Sequence, residues 1–387
     1  MSVIGIKNIG VLVSGDLKQP ILKDTVIIVK DGIIEAMGDE ALLNQYELNQ
    51  IIDANGTTVT PGFVDSHVHP VLGDFTPRQL MLNFMESSVH GGITTFISAG
   101  EPHTPGRPKD PAGTKALAIL GKKSSQNIRP GGAKLHGGSL ILEKGLTEKD
   151  FKELAEAGVD IVGEVGLGSV KDPKEAAEMV SWAKKLGMKV MMHTGGTSIP
   201  GSSSITAEDV IQTDPDVVSH INGGPTAIPL EEVDKLVDLT ELNLELVQCG
   251  NYKVMQYAAE KMAREGKLHR LMMGTDAPSG TGVIPLSQLR TISYLASCCE
   301  GITAEEAICI ATGNNARVFG LNRGIIKVGR EADLLIMDTP LGSVGTDALT
   351  ALEAGDLPGI SAVLVDGQVV VKTSRNTPPA TRKPIFS

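Results

Sequence analysis

Between residues 60 and 320 the chain repeats one unit, an apolar β-type run followed by an amphipathic helical stretch, roughly every thirty residues. Eight such runs are legible, leading into Asp65, Ser98, His136, Glu164, His193, His220, Cys249 and Asp276. Apolar residues three and four apart mark helices over 78–89, 148–157, 174–186, 229–239 and 254–265. Eight βα units in about 260 residues suit a closed (β/α)8 TIM barrel better than an open doubly wound sheet. In such a barrel the side chains that do chemistry collect at the C-terminal ends of the strands.

The two ends of the chain have a different rhythm. Short β-type runs flank Asp31-Gly32 and again Asp366-Gly367, dipeptides that favour a two-residue hairpin turn. Both ends are therefore antiparallel β, and they are expected to fold together as one small β-sandwich. The α/β chain then divides into a sandwich part over 1–59, a barrel over 60–320, and the rest of the sandwich over 321–387.

Composition excludes several functions. Hydrophobic residues make up 41% of the chain, and no apolar run approaches the ~18 residues of a membrane span, so disorder and membrane insertion are both set aside. Net charge is -11 with no dense basic stretch, and aromatic residues are only 3%, which argues against nucleic acid as a partner. The opening Met1-Ser-Val-Ile-Gly-Ile-Lys lacks a basic segment before a long apolar one, so a cytoplasmic location is expected. Cys249, Cys298, Cys299 and Cys309 show no C-x-x-C spacing and read as reduced thiols, Cys249 as one in the barrel core. The glycine-rich stretch from Gly196 has Ser202 where a phosphate-binding lysine belongs, and neither G-x-S-x-G nor G-x-G-x-x-G occurs.

The strand ends carry the chemistry. His67 and His69 follow the first apolar run, and residues two apart on a strand face the same side. Glu164 ends Ile161-Val-Gly-Glu, His193 ends Val190-Met-Met-His, His220 ends Val217-Val-Ser-His, and Asp276 ends Met272-Met-Gly-Thr-Asp. Six ligand-type side chains thus converge on one rim. Imidazole nitrogen and carboxylate oxygen suit zinc, ferrous iron or manganese, and two divalent ions could share the six donors with a bridging hydroxide. Asp276 is the candidate proton carrier. Two dications against Glu164, Asp276 and one hydroxide leave a local balance of about +1, which would attract an anionic ring despite the net charge of the chain. Candidates for contacts to such a substrate are Arg78, Arg107, Lys109, the backbone around Thr197, and the histidines His103 and His136.

Thr60-Pro-Gly-Phe-Val-Asp-Ser-His-Val-His resembles the first-strand signature of the amidohydrolase superfamily. The stretches Thr312-Gly-Asn-Asn-Ala-Arg-Val-Phe-Gly-Leu and Gly329-Arg-Glu-Ala-Asp-Leu-Leu-Ile-Met-Asp resemble its closing segment. The resemblance implies a metal-bearing barrel with a sandwich built from both ends. It also implies that His67, His69 and Asp276 hold one metal and His193 and His220 the other. Many binuclear members carry a carboxylated lysine at the end of the fourth strand; Glu164 stands there, and its two oxygens can bridge two cations unaided.

Within the superfamily, the loops after Ala99, Gly163, His193, Ser219 and Asp276 resemble those of a cyclic-amide hydrolase of nicotinate fermentation. That resemblance implies opening of 6-oxo-1,4,5,6-tetrahydronicotinate to 2-formylglutarate and ammonia, with Zn2+ and Fe2+ (or two Zn2+) in the paired sites, in a homotetramer. Another cyclic amidase, of the dihydroorotase or dihydropyrimidinase kind, is the first alternative and an aminohydrolase the second. A metal-free scaffold on the same fold is the most remote, because all six ligands are present.

Overall fold

Asp31-Gly32 and Asp366-Gly367 adopt φ values of 49° and 85°, and of 49° and 73°. These left-handed values at both central positions are what a two-residue hairpin requires, and Gly supplies the second at no steric cost. The strands they join belong to two sheets. In the computed structural model, which describes residues 2–70, 81–101, 106–196, 204–223, 227–278 and 284–387, each sheet interleaves strands from both ends of the chain. One has the order Ile385–Phe386, Gln50–Asp53, Val3–Lys7, Val26–Lys30, Ile33–Gly38. The other has the order Gln368–Val371, Gly359–Val365, Leu334–Asp338, Thr58–Pro61, Val11–Val13, Ile21–Leu22. Ile6, Ile27, Ile52, Val59, Leu334 and Leu364 meet in the apolar layer of this sandwich, each contributing about 1.5–3 kcal/mol by burial.

The chain leaves the sandwich at Gly62, directly after the strand Thr58–Pro61. A Cβ there would lie 2.2 Å from Thr94 Oγ1, so only glycine lets the crossing pass this closely. Eight parallel strands follow: β1 Phe63–Val68, β2 Ile93–Ser98, β3 Lys134–His136, β4 Ile161–Val165, β5 Lys189–Met192, β6 Val217–Val218, β7 Asn243–Val247 and β8 Leu271–Gly274. Bridges between Leu140 and Val162 and between Val68 and Ala277 close them into a ring. The strands are nearly all buried, which is why they read as apolar runs rather than alternating ones. Helices Met81–Val89, Glu148–Glu156, Pro173–Lys185, Leu230–Leu239 and Tyr252–Arg264 occupy the stretches whose periodicity marks them. Among the described residues no helix is long and apolar enough to cross a membrane.

The segment that follows the eighth strand has a specific task. Asn315 sends its amide Nδ2 to Val64 O at 2.5 Å and Met273 O at 2.7 Å, while Met273 N donates to Asn315 Oδ1 at 3.1 Å. One buried amide therefore ties β1 to β8, the two strands that lead into His67, His69 and Asp276.

Candidate metal centre

The six side chains expected at the strand ends come together. His67 and His69 lie at the end of β1, Glu164 near the end of β4, His193 just past β5, His220 two residues past β6 and Asp276 two past β8. All six are buried, none with more than 6% of its surface exposed. His67 Nε2 lies 3.2 Å from His69 Nε2, and His193 Nδ1 lies 3.2 Å from His220 Nε2. Ligand bonds of 2.0–2.1 Å in a tetrahedron put neighbouring donor atoms about 3.3 Å apart, so each imidazole pair has the spacing of two ligands on one ion.

Glu164 stands between the pairs and divides its oxygens. Oε2 is 3.5 Å from both His67 Nε2 and His69 Nε2. Oε1 is 2.5 Å from His220 Nε2 and 3.8 Å from His193 Nδ1. Asp276 Oδ1 closes the first group at 3.1 Å from His69 Nε2 and 3.6 Å from His67 Nε2. Two trios, His67-His69-Glu164 and Glu164-His193-His220, can each hold a metal ion. The donor set therefore fits a pair of borderline cations sharing one carboxylate.

Two of the ligands sit on strained backbone. His220 has φ 35° and Asp276 has φ 56°, left-handed values that non-glycine residues seldom adopt and that cluster at functional sites. Asp276 is held by its neighbourhood: Asp65 accepts from Thr275 N at 2.9 Å and from Thr275 Oγ1 at 2.6 Å, stapling β1 to the turn that carries it. Electrostatics fit a cation site. Burial would raise Asp276, but the hydrogen bond with His69 and the charges of His67 and His220 bring it to about 2. Burial likewise disfavours the Glu164 carboxylate, and His220 and His67 outweigh it, holding Glu164 well below the usual range. With burial opposing, the carboxylates of Glu245 and Glu164 lift His67 well above the ordinary histidine value.

Several expectations about substrate contacts come out differently. Arg78, Thr197 and His103 lie outside the described residues. His136 is not brought to the cluster. The third strand does not end there; the chain continues along the barrel, with Leu140 N donating to Ile161 O at 3.0 Å. His136 faces the opposite end, where its Nε2 lies 3.3 Å from Arg323 Nη1. Arg107 is committed to Glu143 through a buried ion pair at 2.7 Å, so its charge is already matched.

Sequence reasoning missed two neighbours of the cluster. Glu245, buried in β7, lies 2.6 Å from His67 Nδ1 and accepts from Ser66 Oγ at 2.5 Å. Cys249 is buried, as read, but its thiol reaches Asp276 Oδ2 at 3.3 Å. The available signal was a charged residue inside Leu244-Glu-Leu-Val, the same signal that marked Glu164.

This is the geometry of a metal-dependent hydrolase barrel, and the chain belongs to the amidohydrolase family, whose pattern matches residues 58–370. It is 60% identical over 382 residues to the enamidase of Eubacterium barkeri, covering 99% of both chains. A crystal structure of enamidase superposes with a TM-score of 0.97 at 59% identity over the whole of both chains. The imidazolonepropionase of Clostridium tetani is 24% identical over 377 residues, covering 83% of this chain and 85% of the relative. L-hydantoinase from Arthrobacter aurescens shares the fold, with a TM-score of 0.68 at 19% identity over 97% of each chain.

Proposed function

We propose that this chain is an enamidase, hydrolysing 6-oxo-1,4,5,6-tetrahydronicotinate to 2-formylglutarate and ammonia. The observation that carries the reading is the division of Glu164, one oxygen toward His67 and His69 and the other toward His193 and His220. Support for the substrate comes from the 60% identity to enamidase along essentially the whole chain. His67, His69 and Asp276 would hold one divalent ion, His193 and His220 the other, with Glu164 common to both, and Zn2+ with Fe2+ or two Zn2+ suit the donors. When bound, such a pair supplies a water acidic enough to attack near neutral pH and polarises the lactam carbonyl.

The rest is work for the chain. Asp276, beside His69, takes the proton released as water adds to the carbonyl and passes it to the ring nitrogen as the C–N bond breaks. Ring opening leaves a carboxylate and an enamine. The enamine tautomerises to an imine, and a second water converts the imine to an aldehyde and ammonia, so two waters are consumed per ring. Burial of the cluster keeps bulk water from competing for the carboxylates. A homotetramer is proposed from the resemblance alone.

The test is ammonia release from the tetrahydronicotinate lactam, run beside dihydroorotate and dihydrouracil, with Asp276→Asn as control. Turnover of the first ring only, abolished in the variant, is expected. Turnover of the pyrimidine rings alone would keep the chemistry and reject the substrate.

A further inference from the structure

Glu245 is a fully buried carboxylate on β7 with no lysine or arginine among its bonding partners in the described residues. A carboxylate taken out of water is costly unless its oxygens are matched. Both of them are. Oε1 accepts from Ser66 Oγ at 2.5 Å. Oε2 lies 2.6 Å from His67 Nδ1 and 3.4 Å from the backbone N–H of His220. An ionised carboxylate can only accept, so this contact keeps a proton on His67 Nδ1 and makes Nε2 the nitrogen that gives up its proton, and offers its lone pair, when an ion binds. His69 is fixed in the same sense, because its Nδ1 lies 2.9 Å from the carbonyl oxygen of Gly100, which also can only accept.

Among the described residues the other half of the cluster is held less firmly. His193 presents Nδ1, and its Nε2 finds the Gly196 carbonyl only at 3.4 Å. His220 presents Nε2, and among the described residues its buried Nδ1 has no hydrogen-bond partner. The two imidazole pairs therefore have the same spacing and unequal outer support. A partner on the far nitrogen fixes the tautomer and ring orientation of a ligating histidine and, when it is a carboxylate, raises its basicity; losing one typically weakens metal binding by about 10–100-fold.

We propose that Glu245 is a positioning residue that makes the His67-His69 half of the cluster the tighter metal subsite, leaving the His193-His220 half to exchange first. The proposal rests on the two-ion reading above and adds an order of loading to it. Its effect does not require Glu245 to touch substrate or metal.

The experiment is a chelator titration of the zinc-loaded protein, with anomalous diffraction from crystals stripped to one equivalent. Two release steps are expected, with the remaining ion between His67 and His69. In Glu245→Gln, which keeps the shape and an acceptor but not the charge, the later step should weaken about 10–100-fold and close on the earlier one. Ser66→Ala, which frees the other oxygen of Glu245, should move the same step in the same direction by less. This second variant and the wild-type diffraction result stand even if Glu245→Gln does not fold. A remaining ion between His193 and His220, or release steps unmoved by either variant, would overturn the proposal. One zinc per chain at saturation would remove the two-ion reading and still decide this one: at His67-His69 it supports the assignment, at His193-His220 it refutes it.

Discussion

Lys134, the first residue of β3, reaches Asp333 across the seam between barrel and sandwich, its Nζ 2.9 Å from Oδ1 and 3.0 Å from Oδ2. The same ammonium meets Glu331 at 2.7 Å and Asp366 at 2.6 Å. Three carboxylates from the loops and turn that flank the C-terminal strands thus share one cation from the barrel. Burial raises the pKa of Asp333, so its charge depends on that cation more than the charges of its more exposed partners do.

Removing one member of a buried ion cluster costs about 3–5 kcal/mol, because the remaining charge is left unpaired. Lys134→Met should therefore lower the urea midpoint sharply, and Lys134→Met with Asp333→Asn should recover much of the loss. Equal midpoints for wild type and the single variant would mean that water already matches Asp333.

His136 sits at the same seam. Burial, assisted by Arg323 and Lys122, pushes its pKa down to about 4 from the ordinary histidine value of 6.5. The unfolded chain therefore binds the proton more readily than the folded one between those two values. Stability is expected to fall as pH drops from 6.5 toward 4 and to stop responding to this group below that. The full effect is on the order of 3 kcal/mol. His136→Asn should flatten the difference, read as the dependence of unfolding midpoint on pH relative to wild type. Parallel curves for the two proteins would rule the assignment out.

Gly313 faces the backbone of the sandwich segment near Val11–Val13. A Cβ there would lie 1.9 Å from Gly15 O, an atom that cannot swing aside as a side chain can. Overpacking of this kind usually costs about 1–3 kcal/mol. Gly313→Ala should lower thermal stability while Gly320→Ala, at a left-handed position with open space, is penalised only by its φ of 64°. Comparing the two melting temperatures separates steric from conformational cost.

Much of the architecture was legible because it repeats. Polar residues that interrupt apolar β runs stand out when the run is otherwise buried, and that contrast picked out Glu164, His193 and His220. Glu245 obeys the same contrast but falls in the middle of Asn243–Val247 rather than at its end, where alternation would equally allow an outward-facing carboxylate. His136 misled for a related reason. Gly137 and Gly138 look like a strand end, yet they are a kink, with φ 85° at Gly138, and the chain resumes its place beside β4. The role of Asn315 was illegible in kind: its partners Val64 and Met273 are 251 and 42 residues away, and no local pattern encodes a contact of that range.

The chemistry of Glu164 gives the sharpest prediction about the centre. A glutamine there keeps the length and one carbonyl oxygen but turns the other position into an amide that offers hydrogens, where the split geometry needs an acceptor on each side. Glu164→Gln should therefore keep at most one ion per chain. It should also lose more than about a hundredfold in turnover, beyond the range that loss of an outer partner brings. Because bound ions stabilise the folded state in proportion to the logarithm of their saturation, the variant should gain less in melting temperature on adding zinc than wild type does. Wild type stripped by chelator should melt lower than the loaded protein and recover when zinc is restored. Metal content by elemental analysis together with the melting curves checks both statements. A variant that still binds two ions would show that the bridge is not what holds the second one.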